Sequence, residues 1–157
     1  MSDRIGTVRA VSFSPTGSTR RVLRSIAAGI GAARVQEDSL DRPAWREAGV
    51  QVGADELLLV GMPVYAGRVP GLFHGGLPVR GTGDAVCVVC YGNRAYEDAL
   101  SELVGLTRRA GFRVIAAGAF VTEHSLNGRI AAGRPDEADT ALMEAFGRQV
   151  ASKLRDR

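Results

Sequence analysis

Two hydrophobic patterns alternate along this chain. Short continuous apolar runs at Val8 to Phe13, Glu56 to Val60, Ala85 to Tyr91 and Phe112 to Val121 read as strands buried on both faces. Between them, apolar positions recur every three or four residues. Val22, Leu23, Ile26, Ala27 and Ile30 share one face of a predicted helix over Thr19 to Ile30, and Gly31 marks its stop. Ala99, Leu100, Leu103, Leu106 and Ala110 do the same over Tyr96 to Ala110, before Gly111. A last helix is expected over Pro135 to Arg155, because Pro135, Asp136 and Glu137 suit a positive helix N-terminus. Ala33 to Gln36 reads as a weak edge strand, and Asp41 to Gly49, with Pro43 and Trp45, as irregular or briefly helical. Gly61 and Pro63 are expected to end the third strand, and Val69 to His74 to form a short helix with Pro70 in its first turn.

Buried strands alternating with amphipathic helices imply an α/β protein with a parallel sheet covered on both faces. Five strands in this sequence fit a doubly wound three-layer sandwich with strand order 2-1-3-4-5, whose ligands bind beyond the carboxyl ends of the strands, near the switch between strands 1 and 3. At 157 residues, one domain spanning 1–157 is expected. There is no internal repeat and no low-complexity linker. No apolar run approaches the length of a membrane span, and the first residues lack a signal-peptide core, so a cytoplasmic protein is expected.

Charge and cysteine content narrow the function further. The formal charge is +3, and Lys153 is the only lysine among 20 basic residues. The arginines are scattered, and the pairs Arg20-Arg21 and Arg108-Arg109 fall on different helices, which does not make a nucleic-acid face. Cys87 and Cys90 lie inside an apolar run, where residues i and i+3 of a strand point to opposite faces. They read as small core residues rather than a redox pair, and the same geometry argues against a zinc site completed by His74 and His124.

Three segments fall at the carboxyl edge of the expected sheet. The first, Ser14-Pro15-Thr16-Gly17-Ser18-Thr19, joins a strand to a helix and carries four hydroxyls around a glycine. A helix N-terminus so furnished suits a phosphate. It has no Gly-Lys-Ser/Thr, no cysteine nucleophile with a downstream arginine and no acidic magnesium cluster, so binding without cleavage is expected. A plain Ser/Thr N-cap is the other reading, but it needs only one hydroxyl. The second segment, Met62 to Val69, contains Pro63, Val64, Tyr65, Ala66, Gly67 and Arg68. Tyr65 reads either as a platform for a planar ligand or as a surface ring, and Gly67 permits a peptide to turn towards a ligand edge. The third, Tyr91 to Asp98, offers Gly92, the Asn93 amide, the Arg94 charge and the Tyr96 ring, with Asn93 also a candidate helix cap.

Taken together, these segments resemble the flavodoxin-like flavoproteins. Ser14 to Thr19 is similar to the Ser-x-Thr-Gly-x-Thr loop that holds FMN in flavodoxins. Pro63 to Pro70, Tyr91 to Tyr96, Glu123-His124-Ser125 and Ala131 to Asp136 extend the resemblance to the flavodoxin-like domain that is often followed by a two-cluster ferredoxin module. The resemblance implies a flavodoxin-like three-layer sandwich with FMN as cofactor. It implies that Ser14, Thr16, Gly17, Ser18 and Thr19 hold the ribityl phosphate. Pro63, Val64, Tyr65, Ala66, Gly67, Arg68, Gly92, Asn93, Arg94 and Tyr96 would flank the isoalloxazine ring, with His124 at the pyrimidine edge. Arg68 and Arg94 would place positive charge near a reduced flavin, which favours reduction.

The chain departs from this family in three respects. These 157 residues hold two cysteines, too few to ligate two four-iron clusters, so electrons are expected to come from another chain or a diffusible donor. The second loop differs from the usual Trp-Gly or Tyr-Gly pattern. The chain is basic where typical flavodoxins are acidic, so it should dock differently. The leading expectation is an FMN-binding electron-transfer protein serving iron–sulfur or flavin partners. The alternatives are an FMN-dependent NAD(P)H:quinone-type oxidoreductase with a small quinone-like acceptor, and an interaction module that has lost FMN.

Overall fold

The computed structural model describes residues 5–92, 96, 98–122 and 135–156. In chain order the elements are β1 (Thr7–Ser12), α1 (Ser18–Ile30), β2 (Arg34–Ser39), α2 (Pro43–Ala48), β3 (Val50–Gln51), β4 (Leu57–Pro63), a 3-10 turn (Gly71–Phe73), β5 (Val79–Arg80), β6 (Asp84–Tyr91), α3 (Ala99–Arg109), β7 (Arg113–Val121) and α4 (Glu137–Arg155). Five strands form one parallel sheet in the order β2-β1-β4-β6-β7. Counted within that sheet alone, the order is 2-1-3-4-5, as the alternation of strands and helices implies. The register is set by pairs such as Val8 with Leu57, Leu58 with Ala85 and Cys87 with Ala117.

Alternate residues of the central strands feed two cores. Leu57 and Leu59 of β4, with Val86 and Val88 of β6, meet Val22, Leu23 and Ile26 of α1 and Met143 and Val150 of α4. Leu58, Val60 and Met62, with Ala85, Cys87 and Val89, meet Leu103 and Leu106 of α3 and the segment carrying Phe73 and Leu77. Both faces are therefore covered, which accounts for strand sequences without polar alternation. α4 opens with a capping box, in which the Asp136 carboxylate accepts the Asp139 amide and the Asp139 carboxylate accepts the Asp136 amide, each at 2.9 Å.

α1 and α4 touch backbone to backbone. A methyl on Gly29 would lie 2.0 Å from the Glu144 carbonyl oxygen, and one on Gly147 would lie 2.2 Å from that of Ile26. This contact fixes the axis of α1, and with it the direction in which its N-terminal amides point.

Gly61 does not end its strand. β4 continues through Gly61 and Met62 to Pro63, and Gly61 pairs with both Ser12 and Val88. A Cβ there would sit 2.8 Å from Leu23 Cδ2 and 2.9 Å from Thr19 Cγ2, so the glycine lets the first turns of α1 lie directly on the sheet. β2 runs three residues past the expected Gln36, to Ser39, on the sheet edge. The pairing of β3 with β5 as a two-stranded sheet is not anticipated by the sequence, because two-residue strands carry no periodicity.

The cysteines take opposite faces. Cys87 lies under α3, 3.3 Å from Thr107 Oγ1, and Cys90 lies under α1. Burial pushes the thiols up to about 11 and about 12 respectively. Neither thiol is therefore expected to react with an aromatic disulfide reagent in the native protein at pH 8. Both should react after unfolding, which a stopped-time thiol count with and without denaturant will show.

Candidate functional site

The β1–α1 turn is built around Ser14, which is only 3% exposed. Its carbonyl accepts the Gly17 amide at 2.9 Å, its hydroxyl accepts the Arg20 amide at 3.1 Å, and its own amide donates to Asp41 Oδ1 at 2.6 Å. Gly17 takes a left-handed conformation, φ 86°, as the residue preceding the helix, and its carbonyl accepts the Arg21 amide at 3.1 Å. The helix is thus capped from Ser14, six residues upstream of the amide it satisfies. The amides of Thr16, Ser18 and Thr19 take part in no hydrogen bond among the described residues. They lie at the positive end of α1.

The four hydroxyls divide into two pairs. Ser14 and Thr19 point inward, at 3% and 2% exposed. Thr16 is exposed and Ser18 half-buried, and their hydroxyl oxygens lie 3.4 Å apart at the mouth of the turn. Thr19 therefore offers an anion its amide rather than its hydroxyl, whereas Thr16 and Ser18 offer both. Helical spacing carries the signal for this division, since Thr19 lies three and four residues before Val22 and Leu23 on the buried stripe.

The second loop is a tight hairpin turn. Tyr65 and Arg68 exchange both backbone hydrogen bonds, at 2.7 and 3.0 Å, around Ala66 (φ 52°) and Gly67 (φ 78°). Two positive φ values define a type I′ turn, which Gly67 enters freely and Ala66 only under strain. The loop is pinned to its neighbours. The Val64 amide donates to the Cys90 carbonyl at 2.9 Å, and Glu102 of α3 accepts Arg68 Nε at 3.0 Å and the Val69 amide at 3.2 Å. Arg68 thus shares its charge with Glu102, whose carboxyl is held below its ordinary value chiefly by that guanidinium. Tyr65 is 38% exposed, and burial together with the Asp41 carboxylate raises its phenol. Asp41, which follows β2, thus both bonds the first loop and acts on the Tyr65 phenol.

Gly92 and Tyr96 carry the third loop. The Tyr96 ring lies against Tyr91 with centroids 5.3 Å apart. Asn93, Arg94 and His124 lie outside the described residues, as do Glu123 and Ser125. The structure therefore brings the Ser14–Thr19 turn, the Pro63–Arg68 loop and Tyr91–Gly92 to the carboxyl ends of β1, β4 and β6, which are neighbours in the sheet. Two residues of this edge are not singled out as site residues by the sequence: Asp41, in a segment read as irregular or briefly helical, and Arg20, in the first turn of α1.

No family model and no curated protein matches this chain. Solved structures do. An archaeal flavodoxin superposes with a TM-score of 0.58 over 95% of this chain and 99% of its own, at 14% identity. The two-electron reduced flavodoxin of Megasphaera elsdenii does so at 0.57, covering 92% and 98%, at 18% identity. An apo NADH:FMN oxidoreductase matches at 0.58, covering 94% and 89%, at 15% identity. With a parallel sheet of order 2-1-3-4-5 between two helical layers, this chain has the flavodoxin-like fold.

Proposed function

We propose that this protein binds FMN at the carboxyl edge of its sheet and transfers electrons through it. The reading rests on one observation above the others. Three amides with no acceptor among the described residues and two outward hydroxyls meet around Gly17 at the N-terminus of α1, beside the switch between β1 and β4. This donor set fits a phosphate monoester and contains no group that would cleave it. Ser14 and Thr19 hold the turn from within, while Thr16, Gly17 and Ser18 face the phosphate. Tyr65 and Tyr96, both 38% exposed, supply aromatic surface for a planar ring at the adjoining loops. When bound, FMN supplies the redox chemistry, taking two electrons as hydride or one at a time.

The protein's part is to fix the ring and tune its surroundings. The strained Tyr65–Arg68 turn presents backbone to the ring edge, and Glu102 fixes its orientation through Arg68 and the Val69 amide. The Asn93 amide, the Arg94 charge and His124 belong to the same reading, through their sequence positions after β6 and β7. A chain of net charge +3 favours an acidic partner surface, on an iron–sulfur or flavin protein. We assign it to the cytoplasm; among the described residues, no helix is long and apolar enough to cross a membrane.

Mixing FMN-loaded protein with NADH or NADPH separates carrier from enzyme. Flavin absorbance that bleaches only with dithionite or light, and recovers on adding an oxidised iron–sulfur protein, supports the carrier. Rapid bleaching by the nucleotide, with turnover of an added quinone, establishes the oxidoreductase instead.

A further inference from the structure

α1 begins with the wrong charges for a helix. Its first turn contains no acidic residue and carries Arg20, with Arg21 next, although cations at this end oppose the macrodipole. α4 follows the ordinary rule, with Glu137 and Asp139 in its first turn. Arg21 is exposed and points to solvent-accessible surface, but Arg20 is half-buried and turns back over the loop. A methyl placed on Gly17 would come within 3.3 Å of Arg20 Nη2, the only atom of the described residues beyond its chain neighbours that it would approach within 4 Å. Arg20 makes no ion pair among the described residues, whereas Arg9, Arg24, Arg68 and Arg113 all do. The acidic side chain nearest the loop in the hydrogen-bond network, Asp41, binds the Ser14 amide and not Arg20.

We infer that Arg20 is the cation of the phosphate subsite: its guanidinium, over the left-handed Gly17, makes the site select a doubly charged phosphate monoester over an uncharged flavin. This rests on the FMN reading above. A guanidinium and a phosphate pair through charge-assisted, often bidentate hydrogen bonds, which an ammonium reproduces only in part. The same group that destabilises the free helix end becomes favourable once an anion sits against the Thr16, Ser18 and Thr19 amides. Arg20 adds positive charge to a set of phosphate donors that are otherwise neutral amides and hydroxyls, so phosphate binding should weaken as salt rises.

The test is a fluorescence titration of FMN and of riboflavin into wild-type protein, Arg20→Gln, Arg20→Lys and Arg21→Gln, at low and high salt. Arg20→Gln is expected to weaken FMN about 10- to 100-fold and to reduce its salt dependence, while changing riboflavin less than about twofold. Arg20→Lys should recover part of the loss, and Arg21→Gln should match wild type. Equal loss of FMN and riboflavin in Arg20→Gln, or no loss of either, overturns the role of Arg20 while leaving FMN binding standing. Wild-type protein that binds neither flavin overturns both.

Discussion

Replacing Gly147 by alanine is expected to destabilise the protein by about 2–4 kcal/mol, although alanine is the better helix former. On an open helix face the substitution gains about 0.5–1 kcal/mol. At Gly147 the new methyl meets Ile26 O at 2.2 Å, Ile30 N at 2.8 Å and Gly29 C at 3.0 Å. These are backbone atoms of a facing helix, and no rotamer change relieves them. α4 must move off α1, opening the core that Ile26, Ile30, Met143 and Val150 fill. A native domain holds only about 5–15 kcal/mol in all, so the loss is a large fraction of the total. Gly105→Ala on α3 is the matched control. Its methyl would meet no atom of the described residues within 4 Å, and a gain in stability is expected. Urea unfolding of the two variants should shift the midpoint in opposite directions. Equal shifts would mean that the α1–α4 contact is looser than its glycines imply. Because α1 carries the Ser14–Thr19 turn, Gly147→Ala should also weaken any ligand of that turn.

The second large effect separates binding from folding within one loop. The double variant Thr16→Ala/Ser18→Ala is expected to lose at least about 100-fold in FMN affinity, since each hydrogen bond to a charged group contributes about 1.5–3 kcal/mol. Its melting temperature without flavin should match wild type, because neither hydroxyl bonds the backbone of any described residue. Among the described residues their one hydrogen bond is with each other, at 3.4 Å. Ser14→Ala reverses the pattern. Its hydroxyl caps the Arg20 amide, so its loss should cost about 1 kcal/mol of stability before any flavin is added. Thermal melts and flavin titrations of both variants decide the matter. A stability loss in the double variant, with FMN affinity unchanged, would make the loop a helix cap and nothing more.

Sheet order was legible because the central strands announce themselves. Leu57 to Met62 and Ala85 to Cys90 are apolar without alternation, which only a strand covered on both faces requires. β2 was harder to read, since Arg34 to Ser39 lies on the sheet edge and none of its six residues is fully buried. Gly61 was misread as a stop because a glycine that ends a strand and one that admits a helix look alike in sequence; only the positions of Leu23 and Thr19 distinguish them. In the candidate site, the hydroxyl-rich turn and the Tyr65–Arg68 loop were visible as composition. What composition does not carry is direction. The inward turn of Ser14 and Thr19, the pairing of Arg68 with Glu102, and the return of Arg20 over Gly17 all depend on how α1 and α3 pack. The first of these was recoverable from helical spacing; the other two involve side chains that the sequence leaves unplaced.

FMN binding at the β1–α1 turn is the claim on which the rest depends, and titration of FMN with the unmodified protein tests it most directly. Saturable quenching of flavin fluorescence at one flavin per chain, with a Kd below about 1 µM, is the expected result. Flavin fluorescence unchanged at protein concentrations of about 100 µM, with no change in the visible spectrum, would contradict it.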